Sequence, residues 1–474
     1  MLTPNITTER VRTVGKKRPD QPPALHLNAY SDTNVLGTTG ATYSKGRKMG
    51  SQQDWIDRAH KVLPAGTFGN FDAGIVIARA EGARVWDEDG REYVDFLISS
   101  GPMLLGHGHP EVLEVAHAQI DRGMTYFANN ADGIALAEDI CAAVPCAKRV
   151  RFLTSGGEAD MYAIRAARAF TGRSKVMKFE GGYHGMSAEA QMSLAPVELR
   201  NFPSATPDSA GIPDAVREEM LIAPFNDPAF AKSLIAEHGH EIAYIIVEPL
   251  QRLIPPEAGF LQTLRDLATA HGIVLIFDEI VTGFRLAYGG AQEAYGVEPD
   301  LCTLGKIIGG GFPLAALAGR KDIMDHFDVS VVGRDRFLMQ LGTLAGNPVA
   351  AAAGRKSMEI LARDGAYARL KANGQVVWDA THDALNEHGI AHQMVGDPTL
   401  FDVIFTKQPV RNYRDSITGD PQKLAAYNAI LRRHGVFKAP GKTYPCLALT
   451  DRDLDQTISA IRIAARQMMD DLDT

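Results

Sequence analysis

Between Gly101 and Asp325 short apolar, β-rich runs alternate with helical stretches, and that alternation restricts the chain to a small set of folds. The runs are Arg151 to Leu153, Lys175 to Phe179, Tyr244 to Val247 and Val274 to Phe277. Strands separated by helices pair in parallel, and a parallel sheet must be covered by helices, so the pattern predicts an α/β large domain. Ligands of such sheets gather at the carboxyl ends of the strands. Upstream, VWDEDGREYVDF (Val85 to Phe96) reads as a hairpin turning at Asp89-Gly90. Beyond Asn347 helical periodicity dominates, with β-like patches at Leu400 to Phe405 and Cys446 to Leu449, which suggests an α+β lobe packed with the N-terminal hairpin. The chain is therefore expected to divide into an N-terminal arm (1–50), the first part of a small domain (51–100), a large ligand-binding domain (101–345) and the remainder of the small domain (346–474). The arm is rich in Thr, Ser, Gly, Pro and basic residues without periodicity and is expected to be mobile or wrapped on a partner.

A chain of 474 residues with 45% hydrophobic and 22% charged residues can bury a catalytic site. Its net charge of -8 removes the basic footprint that nucleic acids require. No apolar run approaches a membrane span of about 20 residues, and the first residues lack a secretory leader, so a cytoplasmic location is expected. Cys141, Cys146, Cys302 and Cys446 have neither framework density nor CxxC spacing and read as free thiols. His107 and His109 could suggest a metal pair, but no nearby Cys, Asp or Glu completes a site, and Gly106, Gly108 and Pro110 around them read as a tight loop; no metal is expected.

Four runs carry chemistry. In GIVLIFDEI (Gly272 to Ile280) a buried strand ends in carboxylates, so Asp278 is either delivered to a ligand or caps a helix. In LGKIIGGG (Leu304 to Gly311) Lys306 stands among apolar residues and glycines. A desolvated lysine loses proton affinity and becomes a nucleophile for an aldehyde, whereas a snorkelling lysine beside a glycine turn would be inert. Ser155-Gly156-Gly157 follow a strand and open the helix of RFLTSGGEADMYAIRAARAF, where free N–H groups make either an anion site or a plain cap. In FEGGYHG (Phe179 to Gly185) glycines bring Tyr183 and His184 into a loop, where the tyrosine could stack on a flat ligand or join the core. Together these supply an amine anchor, a carboxylate, a phosphate cradle and an aromatic lid, the set an electron-sink cofactor needs.

With DEIVTGFR (Asp278 to Arg285), LGKIIGGGFP (Leu304 to Pro313), GTLAGNP (Gly342 to Pro348) and PDSAGIP (Pro207 to Pro213), the chain resembles the class III (ω-type) aminotransferases of fold type I, most closely the glutamate-1-semialdehyde aminomutase-like subgroup. The match runs from about Trp55 to Pro348 and weakens beyond. The resemblance implies a pyridoxal 5'-phosphate (PLP) enzyme in a two-fold homodimer, with a large mostly parallel seven-stranded sheet and a smaller α+β domain. It implies that Lys306 binds the cofactor as a Schiff base and then moves protons, and that Asp278 holds the ring nitrogen protonated. Tyr183 would stack on one ring face with His184 beside it, and Ile280 would pack on the other. Ser155, Gly156 and Gly157 would bind the phosphate through backbone amides, Thr343 would reach it from the neighbouring subunit, and Glu248 would lie near the substrate. The implied activity moves an amino group between an amine or amino acid and a keto or aldehyde acceptor, with an aminomutase or racemase as the alternative.

Several positions depart from the family pattern. Gly157 offers no hydroxyl to the phosphate, and Val281 stands where many ω-aminotransferases have Gln. Thr67 to Ile77 lacks the arginine that some relatives use to clamp a carboxylate, which argues against authentic glutamate-1-semialdehyde aminomutase activity. Lys442 is either a replacement for that clamp or a solvated lysine, and Arg285 is either a further candidate or a structural residue.

Overall fold

A computed structural model describes residues 50–70 and 74–470. The arm expected over 1–50 lies outside these residues apart from Gly50, as do positions 71–73 of the Thr67 to Ile77 segment. Thirteen strands are found among the described residues: β1 (Ile77–Glu81), β2 (Arg84–Asp87), β3 (Glu92–Asp95), β4 (Arg149–Leu153), β5 (Lys175–Phe179), β6 (Met220–Ala223), β7 (Ile242–Val247), β8 (Val274–Asp278), β9 (Leu301–Leu304), β10 (Ala315–Gly319), β11 (Gln393–Asp397), β12 (Leu400–Ile404) and β13 (Val436–Phe437).

Seven of them form the central sheet in the order β4-β10-β9-β8-β7-β5-β6. Pairing is parallel from β9 through β8, β7 and β5 to β6, while β10 runs antiparallel to both β9 and β4. Six strands therefore share one direction, and their carboxyl ends open on one edge. The unbroken apolar runs follow from burial of both faces. Ile245, Val247, Leu275 and Phe277 join one core. Their sequence neighbours Tyr244, Ile246, Val274 and Ile276 join the core on the opposite face, as the two-residue period of a strand requires. On that second face lies the helix Gly156–Thr171, whose buried Ala159, Ala163, Ala166 and Ala167 permit a close approach to the sheet.

The hairpin of β2 and β3 turns where expected. The Asp87 carboxylate accepts N–H bonds from Asp89 and Arg91, and Gly90 takes φ +83°. Val436 and Phe437 of β13 pair in parallel with Val94 and Asp95 of β3, so a segment near the carboxyl end completes a sheet begun near the amino end. Leu400 and Phe401 share a core with Val94, Phe96 and Ile461 of the helix Asp451–Asp470. The patch at Cys446 to Leu449 is not a strand. It is an apolar loop fastened by Leu447 N–H to Leu104 C=O and by Asn373 Nδ2 to Cys446 C=O, and apolar composition alone does not distinguish it from a strand. No helix among the described residues is long and apolar enough to cross a membrane.

One helix contact sets the position of the glycine-rich turn. In the helix Pro348–Leu361, a Cβ added to Gly354 would fall 1.9 Å from the Ile308 carbonyl oxygen, and one added to Gly310 would fall 2.5 Å from the Ala353 carbonyl carbon. The backbone after Lys306 thus lies directly on this helix. Alanine in place of a mid-helix glycine ordinarily gains about 1 kcal/mol of propensity, whereas forcing a methyl into a close-packed contact costs about 1–3 kcal/mol. Gly354→Ala should accordingly destabilise the protein in denaturant titrations; a variant more stable than the parent would show that the helix can move off the turn.

Candidate active site

Five of the expected residues follow strands that end on the same edge. Ser155 follows β4, Tyr183 follows β5, Glu248 follows β7, Asp278 ends β8 and Lys306 follows β9. Asp278 is paired in register with Thr303 of β9, three residues before Lys306. Lys306 itself takes φ +50°, a left-handed conformation that costs a non-glycine residue about 1–2 kcal/mol. Gly305 before it and Gly310 after it, the latter at φ +58°, give the chain room for that turn. Burial holds the Lys306 ammonium below the ordinary lysine range; the charges of Lys442 and Arg285 push the same way, against Tyr444 and Asp278. The side chain packs on Gly101, where a Cβ would sit 3.5 Å from Lys306 Cδ.

Asp278 is 5% exposed and its carboxylate is firmly oriented. His184 Nδ1 lies 2.8 Å from Oδ2, and the Ile280 N–H donates to Oδ1 at 3.1 Å. His184 Nε2 is buried without a hydrogen-bond partner among the described residues. Glu248 Oε2 accepts the Tyr183 N–H at 2.8 Å, which couples the aromatic loop after β5 to the end of β7. The Arg252 guanidinium sits 5.4 Å from the centre of the Tyr183 ring. Burial raises the Tyr183 hydroxyl above its usual range, and Arg252 opposes the shift.

The helix Gly156–Thr171 opens with a capping box. Ser155 Oγ accepts the Glu158 N–H, and Glu158 Oε2 accepts the N–H groups of Thr154 and Ser155 at 2.9 and 3.0 Å. Burial would raise the Glu158 carboxyl, but these bonds outweigh it and hold the group below its usual range. The Ser155 amide expected on the phosphate is therefore already committed to Glu158. Gly156 and Gly157 follow at positions whose N–H groups have no acceptor within a helix. Ile280 packs against the same turn: a Cβ on Gly156 would meet its side chain at 3.0 Å, and one on Gly305 at 3.1 Å. Gly185 approaches so closely that a Cβ there would lie 2.5 Å from Gly157 Cα.

Thr343 is not brought to this cluster within the chain. It is exposed in the loop after Gln340 and lines a groove of about 440 Å³ with Phe127, Asn130, Ile134 and Leu341. Arg285 is fully buried and donates to two backbone carbonyls, Thr399 O at 3.1 Å and Gly101 O at 2.5 Å. It ties distant segments together and is not free to clamp a substrate. Lys442 is half-buried rather than fully solvated. Burial, with Arg252 pushing the same way, brings its ammonium down to about 8 against the opposing charges of Glu248 and Asp278. Arg252, Thr303 and Asp160 also belong to this region and were not singled out in the sequence. Arg252 and Leu253 take φ +54° and +100° in a tight turn closed by reciprocal bonds between Gln251 and Ile254, so the only signal for them was a polar pair between VEP and IPP.

These residues fit a planar, phosphate-bearing pyridine aldehyde. Two amides without an intrahelical acceptor at the amino end of a 16-residue helix suit a dianion, a buried carboxylate suits a cationic ring nitrogen, and a lysine with lowered proton affinity suits an aldehyde. His107 is engaged elsewhere, its Nε2 2.8 Å from Asp95 Oδ2.

The comparisons agree with this chemistry. The family model for aminotransferase class-III matches residues 69–464. A glutamate-1-semialdehyde 2,1-aminomutase from Methanothermobacter thermautotrophicus is 42% identical over 429 residues, covering 89% of this chain and 99% of the relative. Among solved structures, an omega-transaminase from Sphaerobacter thermophilus superposes with a TM-score of 0.83 at 35% identity, covering 88% of this chain and 98% of its own. A beta-phenylalanine aminotransferase from Variovorax paradoxus follows with a TM-score of 0.77 at 32% identity, over 87% and 93% of the two chains. The seven-stranded sheet with its lysine-bearing turn is that of PLP fold type I, and the chain belongs to the class III aminotransferases, enzymes dependent on pyridoxal 5'-phosphate.

Proposed function

We propose that this chain is an aminotransferase that takes nitrogen from an amine or amino acid and delivers it to a separate keto or aldehyde acceptor in two half-reactions. The observation that carries the reading is the convergence of Lys306 and Asp278 on one buried strand edge, with the open amides of Gly156 and Gly157 on the same edge. When bound, pyridoxal phosphate supplies an aldehyde for condensation with amines and a cationic ring that accepts electron density from the substrate carbon.

The chain's own groups have distinct tasks. Lys306 Nζ, unprotonated more readily than an ordinary lysine, would anchor the cofactor and, once displaced by substrate, would carry the proton from the substrate carbon to the aldehyde-derived carbon of the cofactor, and in the reverse direction in the second half-reaction. Asp278, held by His184 and the Ile280 amide, keeps its charge on the ring nitrogen. Tyr183 covers one ring face and Ile280 the other, so both exclude water. Gly156 and Gly157 hold the phosphate through their N–H groups, with Ser155 shaping that turn as its cap. Glu248 orients the Tyr183 loop and faces the substrate side. Thr343, exposed beside Phe127, Ile134 and Leu341, would complete a phosphate site in a second copy, and the exposure of these apolar residues favours a homodimer.

A second reading, an isomerase returning nitrogen to the same carbon skeleton, is supported by the 42% identity to an aminomutase. The two are separated by incubating the enzyme with donor and a distinct acceptor: stoichiometric amination of the acceptor favours transfer, and rearrangement of the donor with the acceptor untouched favours the isomerase.

Lys306→Ala should abolish the borohydride-fixed adduct at this position and lower turnover by about 10³-fold or more. Undiminished turnover would remove Lys306 from the chemistry. Asp278→Asn should cost about 10²-fold or more in kcat with a smaller change in cofactor affinity, because the lost charge stabilises the reacting state; equal losses in both would reduce Asp278 to a binding role. Lys442 is cationic below about 8 and neutral above it. If it receives the substrate carboxylate, KM for carboxylate-bearing donors should rise as pH passes through that value while KM for simple amines does not, and Lys442→Met should flatten the difference.

A further inference from the structure

A second carboxyl group lies against Asp278. Asp160, in the second turn of the helix Gly156–Thr171, crosses to the sheet, where Thr303 Oγ1 donates to Asp160 Oδ1 at 2.7 Å and lies 3.4 Å from Asp278 Oδ1. Asp160, Thr303 and Asp278 are 2%, 0% and 5% exposed. Asp160 makes no ion pair among the described residues. The titratable groups that face it are Asp278 and Glu248, both acidic, with the Tyr183 hydroxyl on the loop beyond. Asp278 has His184 on its other oxygen and feels Lys306 and Lys442 at longer range. Thr303 has one hydroxyl proton for two carboxyl groups, and two like charges at this depth cannot both be sustained without a cation. Burial, and then the charge of Asp278, raise the Asp160 carboxyl well above its usual range.

We propose that Asp160 is a positioning residue that keeps one proton on the Asp160–Asp278 couple and releases it, through Asp278, to the ring nitrogen of the cofactor as it binds. The proposal rests on Asp278 meeting that nitrogen, as argued above. In the transfer the O–H bond of Asp160 would break as an O–H bond forms on Asp278, that bond would break as the ring nitrogen gains its N–H, and both carboxylates would end anionic beside one cation. The net charge of the ensemble is unchanged and no proton is drawn from water. The site thereby supplies its own proton in a place that solvent reaches poorly. Once the ring is cationic, the second carboxylate reinforces that state, since losing the nitrogen's proton would again leave two buried anions uncompensated.

The test strips the full-length chain of cofactor and reloads it with pyridoxal phosphate at a pH above the free ring nitrogen's own pKa. The heat of binding is measured in two buffers of different ionisation enthalpy, which yields the protons exchanged with solvent. Asp160→Asn preserves the shape and the bond from Thr303 but has no proton to give. It should take up about one more proton per site than the parent. Contributions from the phosphate and from Lys306 are common to both proteins and cancel in the difference. Infrared difference spectra of the parent alone give a second readout, in which reloading should remove a protonated-carboxyl C=O band; this holds even if the variant does not fold. Equal proton uptake in both proteins, or a carboxyl band that persists on reloading, would overturn the proposal while leaving the aminotransferase reading intact. A parent that fails to bind the cofactor at all would instead remove the functional reading on which it depends.

Discussion

Everything at the strand edge depends on a carboxylate buried at the end of β8. A carboxyl group this deep has to be compensated by hydrogen bonds and by charges at some distance, and the surrounding structure supplies both. His184 and the Ile280 amide hold its oxygens, Lys306 and Lys442 contribute positive potential across the cleft, and Arg285 acts in turn on the two lysines. The same positive potential, together with burial, lowers the proton affinity of Lys306. One charge distribution therefore orients the acid and activates the amine. Removing a charge from it alters both, which is why substitutions here are read more safely from proton exchange and spectra than from activity alone.

Packing fixes the geometry that the electrostatics require. Ile280 fills the space between the helix opening at Gly156 and the turn at Gly305, and a Cβ at either glycine would press on its side chain. The helix Pro348–Leu361 closes the turn from the other side, with its own glycine against the Ile308 carbonyl. Lys306 in a left-handed conformation thus lies on a turn packed from both sides. The strain is local and the contacts that maintain it come from residues far away in sequence.

Much of this was legible in the sequence because it is written in period and punctuation. The buried strands appear as unbroken apolar runs, and Asp278, Glu248, Tyr183 and Lys306 stand where those runs stop. What escaped depends on three-dimensional neighbours. Asp160 sits on a helix face whose contacts are known only once that helix is laid on β9. The β10 run AALAG is too small and short to signal a strand, and its antiparallel direction follows from a reversal within the glycine-rich turn. Cys446 to Leu449 carries strand-like composition yet forms a loop, since no neighbouring edge is available to pair along its length. Ser155 and Glu158 spell a capping box at the correct spacing, and the consequence, a serine amide no longer available to a ligand, emerges only from the bond itself.

The antiparallel course of β10 also bears on how such a scaffold can diversify. Because the chain returns along β9 immediately after the lysine, with Leu304 paired to Ala316, the nucleophile is moored to the sheet on both sides of a short reversal. The tyrosine loop after β5 and the tight turn at Arg252 have no such double mooring to the central sheet. Sequence drift in those outer segments can reshape what enters the cleft while the reactive nitrogen keeps its place, so new selectivities need not be accompanied by reinvention of the chemical core.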